Sequence, residues 1–119
     1  YYGIRSVYDG RYRYIVNLTP EATFQNVETK SPLFKEWKSL AETDSHAKAM
    51  TTKYQHRPAI ELYDVKNDPY CMKNLAEDAN QASTISRLDK ELKRWMKDCG
   101  DEGQPTEMRA FEHMPGKRK

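Results

Sequence analysis

Residues 2–18 read YGIRSVYDGRYRYIVNL, and this stretch decides the fold of the amino end. Two runs rich in β-branched and aromatic residues, 4–8 and 12–18, flank Asp9-Gly10, a dipeptide that supplies the positive φ angles of a tight hairpin turn. In the second run the even positions are all apolar, whereas the odd positions include an arginine and an asparagine. Side chains alternate across a strand, so the pattern predicts a hairpin with one packed face and one partly wet face.

Later segments have the apolar spacing of amphipathic helices. Ser31-Pro32 places a capping hydroxyl before a first-turn proline, and large apolar residues follow at helical spacing up to Ala41. A second, more polar helix is expected over 44–54. The longest helix is expected over 81–98, with Gly100 able to take the left-handed conformation that ends a helix.

A third strand is expected over 60–65, followed by a turn at 66–69. The order strand, strand, helix, helix, strand, helix predicts an α+β fold, with a small antiparallel sheet packed on one face by helices and a long carboxy-terminal helix. We expect residues 1–100 to form one domain. Residues 101–119 mix glycine, proline and charge without an apolar period, so we expect an extended or disordered tail.

The composition excludes several classes of function. The 119 residues carry 20 Lys and Arg against 18 Asp and Glu, and a net charge of +2 is too small to indicate a nucleic-acid partner. No apolar run approaches the roughly 18 residues that a membrane span needs. Cys71 and Cys99 lack the spacing of metal ligands, so no metal site is expected. Whether the two cysteines are free or paired stays open.

Several blocks of the chain, in order, resemble the carboxy-terminal subdomain of sulfatases of the heparan N-sulfatase (sulfamidase, N-sulphoglucosamine sulphohydrolase) type. The blocks are residues 2–7, 11–18, 31–34, 61–64, 67–69 and 74–76, followed by a helix that ends near Trp95. The chain departs from the pattern at Gly3, where many relatives have proline. It also departs at Cys71-Met72, where an acidic residue is common.

The resemblance implies a parent hydrolase that removes sulfamate or sulfate ester groups from glycosaminoglycan-type sugars, as in heparan sulfate degradation. Such sulfatases use a formylglycine made within a Cys/Ser-x-Pro-x-Arg motif, beside a calcium ion. Neither Cys71 nor Cys99 has a proline two residues later. We therefore expect no catalytic residue and no cofactor in this fragment, with calcium and formylglycine belonging to the parent enzyme, and no activity from the isolated fragment.

The same resemblance implies the partners and the compartment of the parent protein. The amino-terminal catalytic domain of the same chain is the expected protein partner, and a sulfated glycan is the expected substrate. The fragment would complete the fold and shape one wall of the substrate pocket. A periplasmic, extracellular or lysosomal location is implied for the parent.

Three residues are candidates for the wall of that pocket: Arg5, His56 and Arg57. Arg5 lies in a strand of otherwise apolar and small residues. Its guanidinium is expected to meet a carboxylate or backbone carbonyls, either within the domain or across to its partner, and contact with an anionic sugar is the alternative. His56 and Arg57 lie in a connection that could face the catalytic domain.

A second hypothesis is a non-enzymatic binding module. Arg11, Tyr12 and Arg13 follow the predicted hairpin turn, and two guanidinium groups around an aromatic ring suit a sulfated glycan or RNA. A solvated strand face is the plainer interpretation of the same residues.

Overall fold

The computed structural model describes residues 2–113 and confirms the α+β class. The antiparallel sheet consists of β1 (Ile4–Tyr8), β2 (Tyr12–Asn17) and β3 (Ile60–Asp64), in the order β1-β2-β3. The α-helices are α1 (Pro32–Leu40), α2 (Ser45–Gln55), α3 (Ala82–Asp98) and α4 (Gln104–Met108). Short 3-10 turns lie at Glu28–Lys30, Ala79–Gln81 and Ala110–His113.

The predicted hairpin turn is present between β1 and β2. Gly10 has a φ of 98°, a backbone conformation that residues with a Cβ atom rarely adopt. The Asp9 carboxylate accepts hydrogen bonds from the backbone N–H groups of Arg11 and Tyr12, at 2.9 and 2.7 Å. This side chain therefore closes the turn, as aspartate commonly does.

The core lies between α3 and one face of the sheet. Its fully buried members are Tyr14 and Leu62 from the sheet and Leu88 and Leu92 from the helix, each at most 2% exposed. Burying each leucine contributes about 1.5–3 kcal/mol. The Tyr14 hydroxyl donates to Asp89 Oδ1 at 3.1 Å, and burial raises the pKa of Tyr14 to about 12. The helix is thereby held over the predicted packed face of the hairpin.

The outer edge of β3 is covered by the segment that follows it. Leu75 donates its backbone N–H to the Leu62 carbonyl at 2.7 Å, and Asn74 Oδ1 accepts from the Leu62 N–H at 2.9 Å. The Asp68 carboxylate accepts the backbone N–H of Lys73 at 2.8 Å. These bonds turn the chain beside β3 and leave few unpaired backbone groups along that edge.

Helices α1 and α2 form a separate layer at the second face of the sheet. Ser31 Oγ accepts from the Phe34 N–H at 3.1 Å, and Asp44 Oδ1 accepts from the Ala47 N–H at 2.7 Å, so a side chain caps each helix. The Phe34 ring lies 5.5 Å from that of Tyr54. This aromatic contact joins the two helices beside the sheet.

Residues 101–113 differ from the expected extended tail. Gly100 ends α3 with a φ of 72°, and the Asp101 N–H donates to the Met96 carbonyl at 2.7 Å. The chain then forms α4, and both Asp101 and Glu107 pair with Arg5 on β1. Order in this segment comes from ion pairs with a strand about 100 residues away, which no local pattern reveals. Residues 114–119 lie outside the described residues.

Two further expectations concern the cysteines and the membrane. Cys71 and Cys99 are both free thiols. Over residues 2–113, no helix is long and apolar enough to cross a membrane.

Candidate functional site

A groove of about 290 Å³ opens between the second face of the sheet and helices α1 and α2. We call it the sheet groove. Its floor is formed by residues of β2 and β3, its wall by residues of α1 and α2, and its rim by residues 70–72. Three cations and four aromatic rings line it: Arg13, Lys53 and Arg57, with Trp37, Tyr54, Tyr63 and Tyr70.

The one acid in the sheet groove is satisfied within the protein. Glu61 is 6% exposed, and its carboxylate accepts from Asn17 Nδ2 at 2.7 Å and from the Tyr63 hydroxyl at 2.6 Å. Burial, followed by the hydrogen bond to Glu61, raises the pKa of Tyr63 above its usual range. The carboxylate therefore braces the floor of the groove from a buried position.

Lys53 connects α2 to the rim of the groove. Its ammonium donates to the backbone carbonyls of Cys71 and Met72, both at 2.7 Å, and lies 5.3 Å from the centre of the Tyr63 ring. Cys71 has a φ of 52°, which turns the chain so that the two carbonyls meet the ammonium. A lysine ammonium has three donors, so one remains for a ligand.

Arg57 is held by aromatic rings. Its guanidinium carbon lies 4.3 Å from the centre of the Phe24 ring and 5.6 Å from that of Tyr54, and Nε donates to the Tyr54 carbonyl at 3.3 Å. The Phe24 ring in turn packs edge-on against Tyr54. Stacking of this kind fixes the plane of a guanidinium while leaving its terminal nitrogens free to donate.

Arg13 is the most accessible cation of the sheet groove. It is exposed on β2, with its guanidinium carbon 5.6 Å from the centre of the Tyr8 ring. No carboxylate of residues 2–113 pairs with Arg13, Lys53 or Arg57. A groove that combines uncompensated cations with aromatic surfaces is suited to an anionic ligand such as a sulfate or a carboxylate.

The structure separates the three residues expected to form a pocket wall. Arg57 lines the sheet groove, whereas His56 is exposed at the end of α2 and is not among the lining residues. Arg5 lies elsewhere, with its side chain 13% exposed and its guanidinium bound to Asp101 and Glu107. The hydrogen bond to Asp101 makes the largest contribution, and together with the one to Glu107 it raises the pKa of Arg5. The expected carboxylate partner of Arg5 is therefore found within the described chain.

The three hairpin candidates do not share one surface, although the Arg11 guanidinium carbon lies 4.8 Å from the centre of the Tyr12 ring. Arg11 forms an ion pair with Asp64 at 2.8 Å, which lowers the pKa of that carboxyl to about 2. Tyr12 is partly buried against the core on the α3 side, whereas Arg13 lines the sheet groove on the opposite face. Of the hairpin set, only Arg13 shares a surface with other unpaired cations.

Sequence reasoning missed most of the sheet groove. In the sequence, Trp37 is one of the apolar residues at helical spacing before Ala41, and Lys53 and Tyr54 fall within the polar helix expected over 44–54. The one usable signal was the density of aromatic and basic residues from 53 to 57. Their convergence on Arg13 depends on how α2 lies over the sheet.

The residues present do not fit the cofactors of a sulfatase. Within residues 2–113, no group of three or more His, Cys, Asp and Glu side chains is arranged to hold a metal ion. Cys71 and Cys99 are followed by Met72-Lys73 and Gly100-Asp101, so neither lies in the motif from which formylglycine is made. No step of sulfate hydrolysis is therefore derived from this chain.

Comparison with known proteins relates the chain to part of a sulfatase. No family model matches it. It is 33% identical over 108 residues to an ulvan-active sulfatase of Formosa agariphila, which covers 87% of this chain and 18% of the relative. A second ulvan-active sulfatase of the same organism is 32% identical over 97 residues, which covers 82% of this chain and 18% of the relative. The chain thus spans less than a fifth of the length of these relatives, and they do not single out heparan N-sulfatases.

Proposed function

We propose that this chain is a non-catalytic, carboxy-terminal subdomain of a sulfatase that acts on a sulfated polysaccharide. The observation that carries the proposal is the match to 18% of the length of two sulfatases, by a sequence that has no Cys/Ser-x-Pro-x-Arg motif. The formylglycine and the calcium ion implied by the family resemblance would then belong to the catalytic domain, which is the proposed partner of this chain. A periplasmic, extracellular or lysosomal location is proposed with it.

We assign the sheet groove to one wall of the substrate pocket. The free donors of Arg13, Lys53 and Arg57 suit the sulfate or carboxylate oxygens of an acidic sugar, because charged hydrogen bonds are about twice as strong as neutral ones. The half-exposed ring surfaces beside them suit the apolar face of a sugar ring. Trp37 is 37% exposed and Tyr70 is 85% exposed, so both rings have surface available for such contact.

Two polysaccharide classes are candidates for the substrate. The family resemblance favours a sulfamate or sulfate ester on a glycosaminoglycan-type sugar, whereas the two curated relatives are named for activity on ulvan. Both substrates are sulfated polysaccharides, which is the coarser class that the groove chemistry supports. Binding of ulvan and heparan sulfate oligosaccharides, compared at equal ionic strength, distinguishes them.

The first test is catalytic. The 119-residue chain is incubated with ulvan, heparan sulfate and an arylsulfate, and released sulfate is measured. We expect no release above a buffer blank. Release above that blank by the purified chain would overturn the assignment as a non-catalytic subdomain.

The second test compares two arginines of the hairpin region. Arg13→Ala removes a cation from the sheet groove, whereas Arg11→Ala removes one that Asp64 already neutralises. Loss of a charged hydrogen bond, worth about 1.5–3 kcal/mol, corresponds to a loss of affinity of roughly 10- to 150-fold. We expect this loss in calorimetric titrations with sulfated oligosaccharides for the first variant only. Equal affinity of both variants and the wild type would contradict the role of the groove.

The same pair of variants tests the binding-module hypothesis. If the hairpin itself held glycan or RNA, then Arg11→Ala and Arg13→Ala would weaken binding to a similar extent. The affinity for RNA would then fall steeply with salt, because each phosphate contact releases counterions. The structure favours the groove, since Arg11 is engaged with Asp64.

A further inference from the structure

Arg57 lies where the chain leaves α2 and enters β3. The residue before a proline is restricted to extended backbone, so Pro58 limits the main chain of Arg57. The remaining freedom is in the side chain, whose long stem allows the guanidinium many orientations. An arginine that loses this freedom only on binding holds its ligand more weakly than one that is ordered beforehand. The contacts that hold the Arg57 guanidinium therefore bear on the affinity of the sheet groove.

Phe24 makes the closer of two aromatic contacts with that guanidinium. The guanidinium carbon of Arg57 lies 4.3 Å from the centre of the Phe24 ring and 5.6 Å from that of Tyr54. A cation over a ring face is attracted by the ring quadrupole, and a planar guanidinium also stacks on the ring. Phe24 comes from the segment between β2 and α1, where the sequence has no clear apolar period.

The Phe24 ring is itself held from several sides. The Phe24 backbone N–H donates to the Gln55 carbonyl at 2.7 Å, which ties this segment to the end of α2. The ring packs edge-on against Tyr2 and Tyr54, with ring centres 5.3 and 5.8 Å away. Asn26 Nδ2 donates to the Tyr54 hydroxyl at 3.0 Å and ties the segment to α2 a second time. A ring fixed in this way can fix a guanidinium that stacks on it.

The charge of Arg57 is available to a ligand. Over residues 2–113 no ion pair includes Arg57. Its Nε donates to the Tyr54 carbonyl at 3.3 Å, which leaves the two terminal nitrogens for another acceptor. Burial raises the pKa of Tyr63 on the floor of the groove, and the Arg57 charge acts in the opposite direction. The charge therefore acts on the floor of the sheet groove.

We propose that Phe24 is a positioning residue of the sheet groove, which holds the Arg57 guanidinium so that its terminal nitrogens meet a sulfate or carboxylate group of the polysaccharide. Phe24 is not among the residues that line the groove, so it acts through Arg57 and not by touching the ligand. This inference rests on the proposed function, because it takes the groove to be the surface that binds an acidic sugar. It adds the segment between β2 and α1 to the parts of the chain that set the affinity.

Calorimetric titration of the 119-residue chain with ulvan and heparan sulfate oligosaccharides tests the positioning role. Arg57→Ala should weaken binding roughly 10- to 150-fold, because a charged hydrogen bond is lost. Phe24→Leu keeps an apolar side chain but removes the ring, and it should weaken binding roughly 2- to 10-fold, since the guanidinium is then ordered only on binding. Phe24→Tyr keeps the ring face and should bind as the wild type does. Wild-type affinity of Phe24→Leu would overturn the inference.

A double-mutant cycle separates positioning from general damage. In an Arg57→Ala background, Phe24→Leu should cause no further loss of affinity, because Phe24 acts through Arg57. Additive losses would show that the ring acts on the fold as a whole and would overturn the inference. Weaker binding by Arg57→Ala but not by Phe24→Leu would refute the positioning role alone. Wild-type affinity of both Arg57→Ala and Arg13→Ala would refute the groove as a binding surface, and the inference with it.

Nuclear magnetic relaxation of the wild-type chain provides a second test, which does not depend on the folding of any variant. The Nε–Hε order parameter of Arg57 should approach that of rigid backbone, about 0.85, whereas a flexible group falls below about 0.6. Arg13 is exposed on the same groove and should fall in the flexible range. An order parameter of Arg57 as low as that of Arg13 would overturn the inference.

Discussion

Arg5→Ala is the sharpest test of the fold, because it removes a cation that pairs with both Asp101 and Glu107 and so ties residues 101–107 to the sheet. The guanidinium donates to Glu107 at 2.7 Å, to Asp101 through two nitrogens, and to the Ile4 carbonyl. The side chains of Arg5, Asp101 and Glu107 are 13%, 10% and 24% exposed. Alanine would leave two poorly hydrated carboxylates close together without a counter-charge.

The size of the effect follows from this burial. Breaking a buried ion pair by removing one partner costs about 3–5 kcal/mol, whereas exposed pairs contribute about 0–1 kcal/mol. Both carboxylates keep some contact with solvent and α4 is short, so the segment can move outward and hydrate them. We therefore expect a loss between these two ranges, about 2–3 kcal/mol, from a total stability of about 5–15 kcal/mol.

Urea denaturation at pH 7, followed by far-ultraviolet circular dichroism, measures the loss. Arg11→Ala is the matched control, since its guanidinium is 51% exposed where it pairs with Asp64, and it should destabilise the protein much less than Arg5→Ala does. Arg5→Met keeps most of the aliphatic part of the side chain, so its loss of stability reports the removal of the charge without the loss of packing. In a chain that stops at Gly100, Arg5→Ala should cost much less than in the full 119 residues.

One result would refute this reasoning. If Arg5→Ala and Arg11→Ala destabilise the protein equally, then Asp101 and Glu107 do not hold α4 on the sheet. The expectation of an extended segment after residue 100 would then describe the molecule better than the folded arrangement.

Three further predictions concern acid stability, the core and a close contact. The Arg87 hydrogen bond lowers the folded-state pKa of Asp9 from 3.8 to about 2. The ionised carboxylate therefore contributes its full stabilisation above about pH 5, and this contribution is lost as the pH falls toward 2. In Asp9→Asn the melting temperature should depend less steeply on pH between about 5 and 2. Leu62→Ala, at a site 0% exposed, should cost about 2–5 kcal/mol in urea denaturation. A Cβ at Gly3 would lie 2.7 Å from both Glu107 Cγ and Leu18 Cδ1, so Gly3→Ala should cost about 1–3 kcal/mol. A double-mutant cycle with Glu107→Ala should recover only part of that cost, because the Leu18 contact remains.

Prediction from the sequence succeeded where a local pattern carries the information. The hairpin depends on alternation within residues 4–18 and on Gly10. The two helix caps depend on Ser31 and Asp44, each three residues before the amide that it binds. The end of α3 depends on Gly100. Each feature is decided within a few residues, so the sequence alone shows it.

The candidate site was predicted only in part. Arg57 and Arg13 were both singled out, but in separate hypotheses, and the structure places them in one groove with Lys53. Arg5 is expected to meet a carboxylate or backbone carbonyls, and its contacts with Asp101, Glu107 and the Ile4 carbonyl agree with that expectation. Nothing local in the sequence selects those partners among 18 acidic residues. Surface sites form where separate elements meet, so the residue types are visible in the sequence and their grouping is not.

The sequence by itself therefore determined the strands, the long helices, their caps and the α+β class, because hydrogen bonding and apolar periodicity within one element are local. Only the tertiary structure decided that residues 101–107 fold back onto β1, across 96 and 102 positions of chain. It also decided that, within residues 2–113, Asn74 and Leu75 cover the β3 edge of the sheet, whereas β1 forms its other end. These outcomes depend on charges and surfaces that become neighbours only after α3 has packed on the sheet.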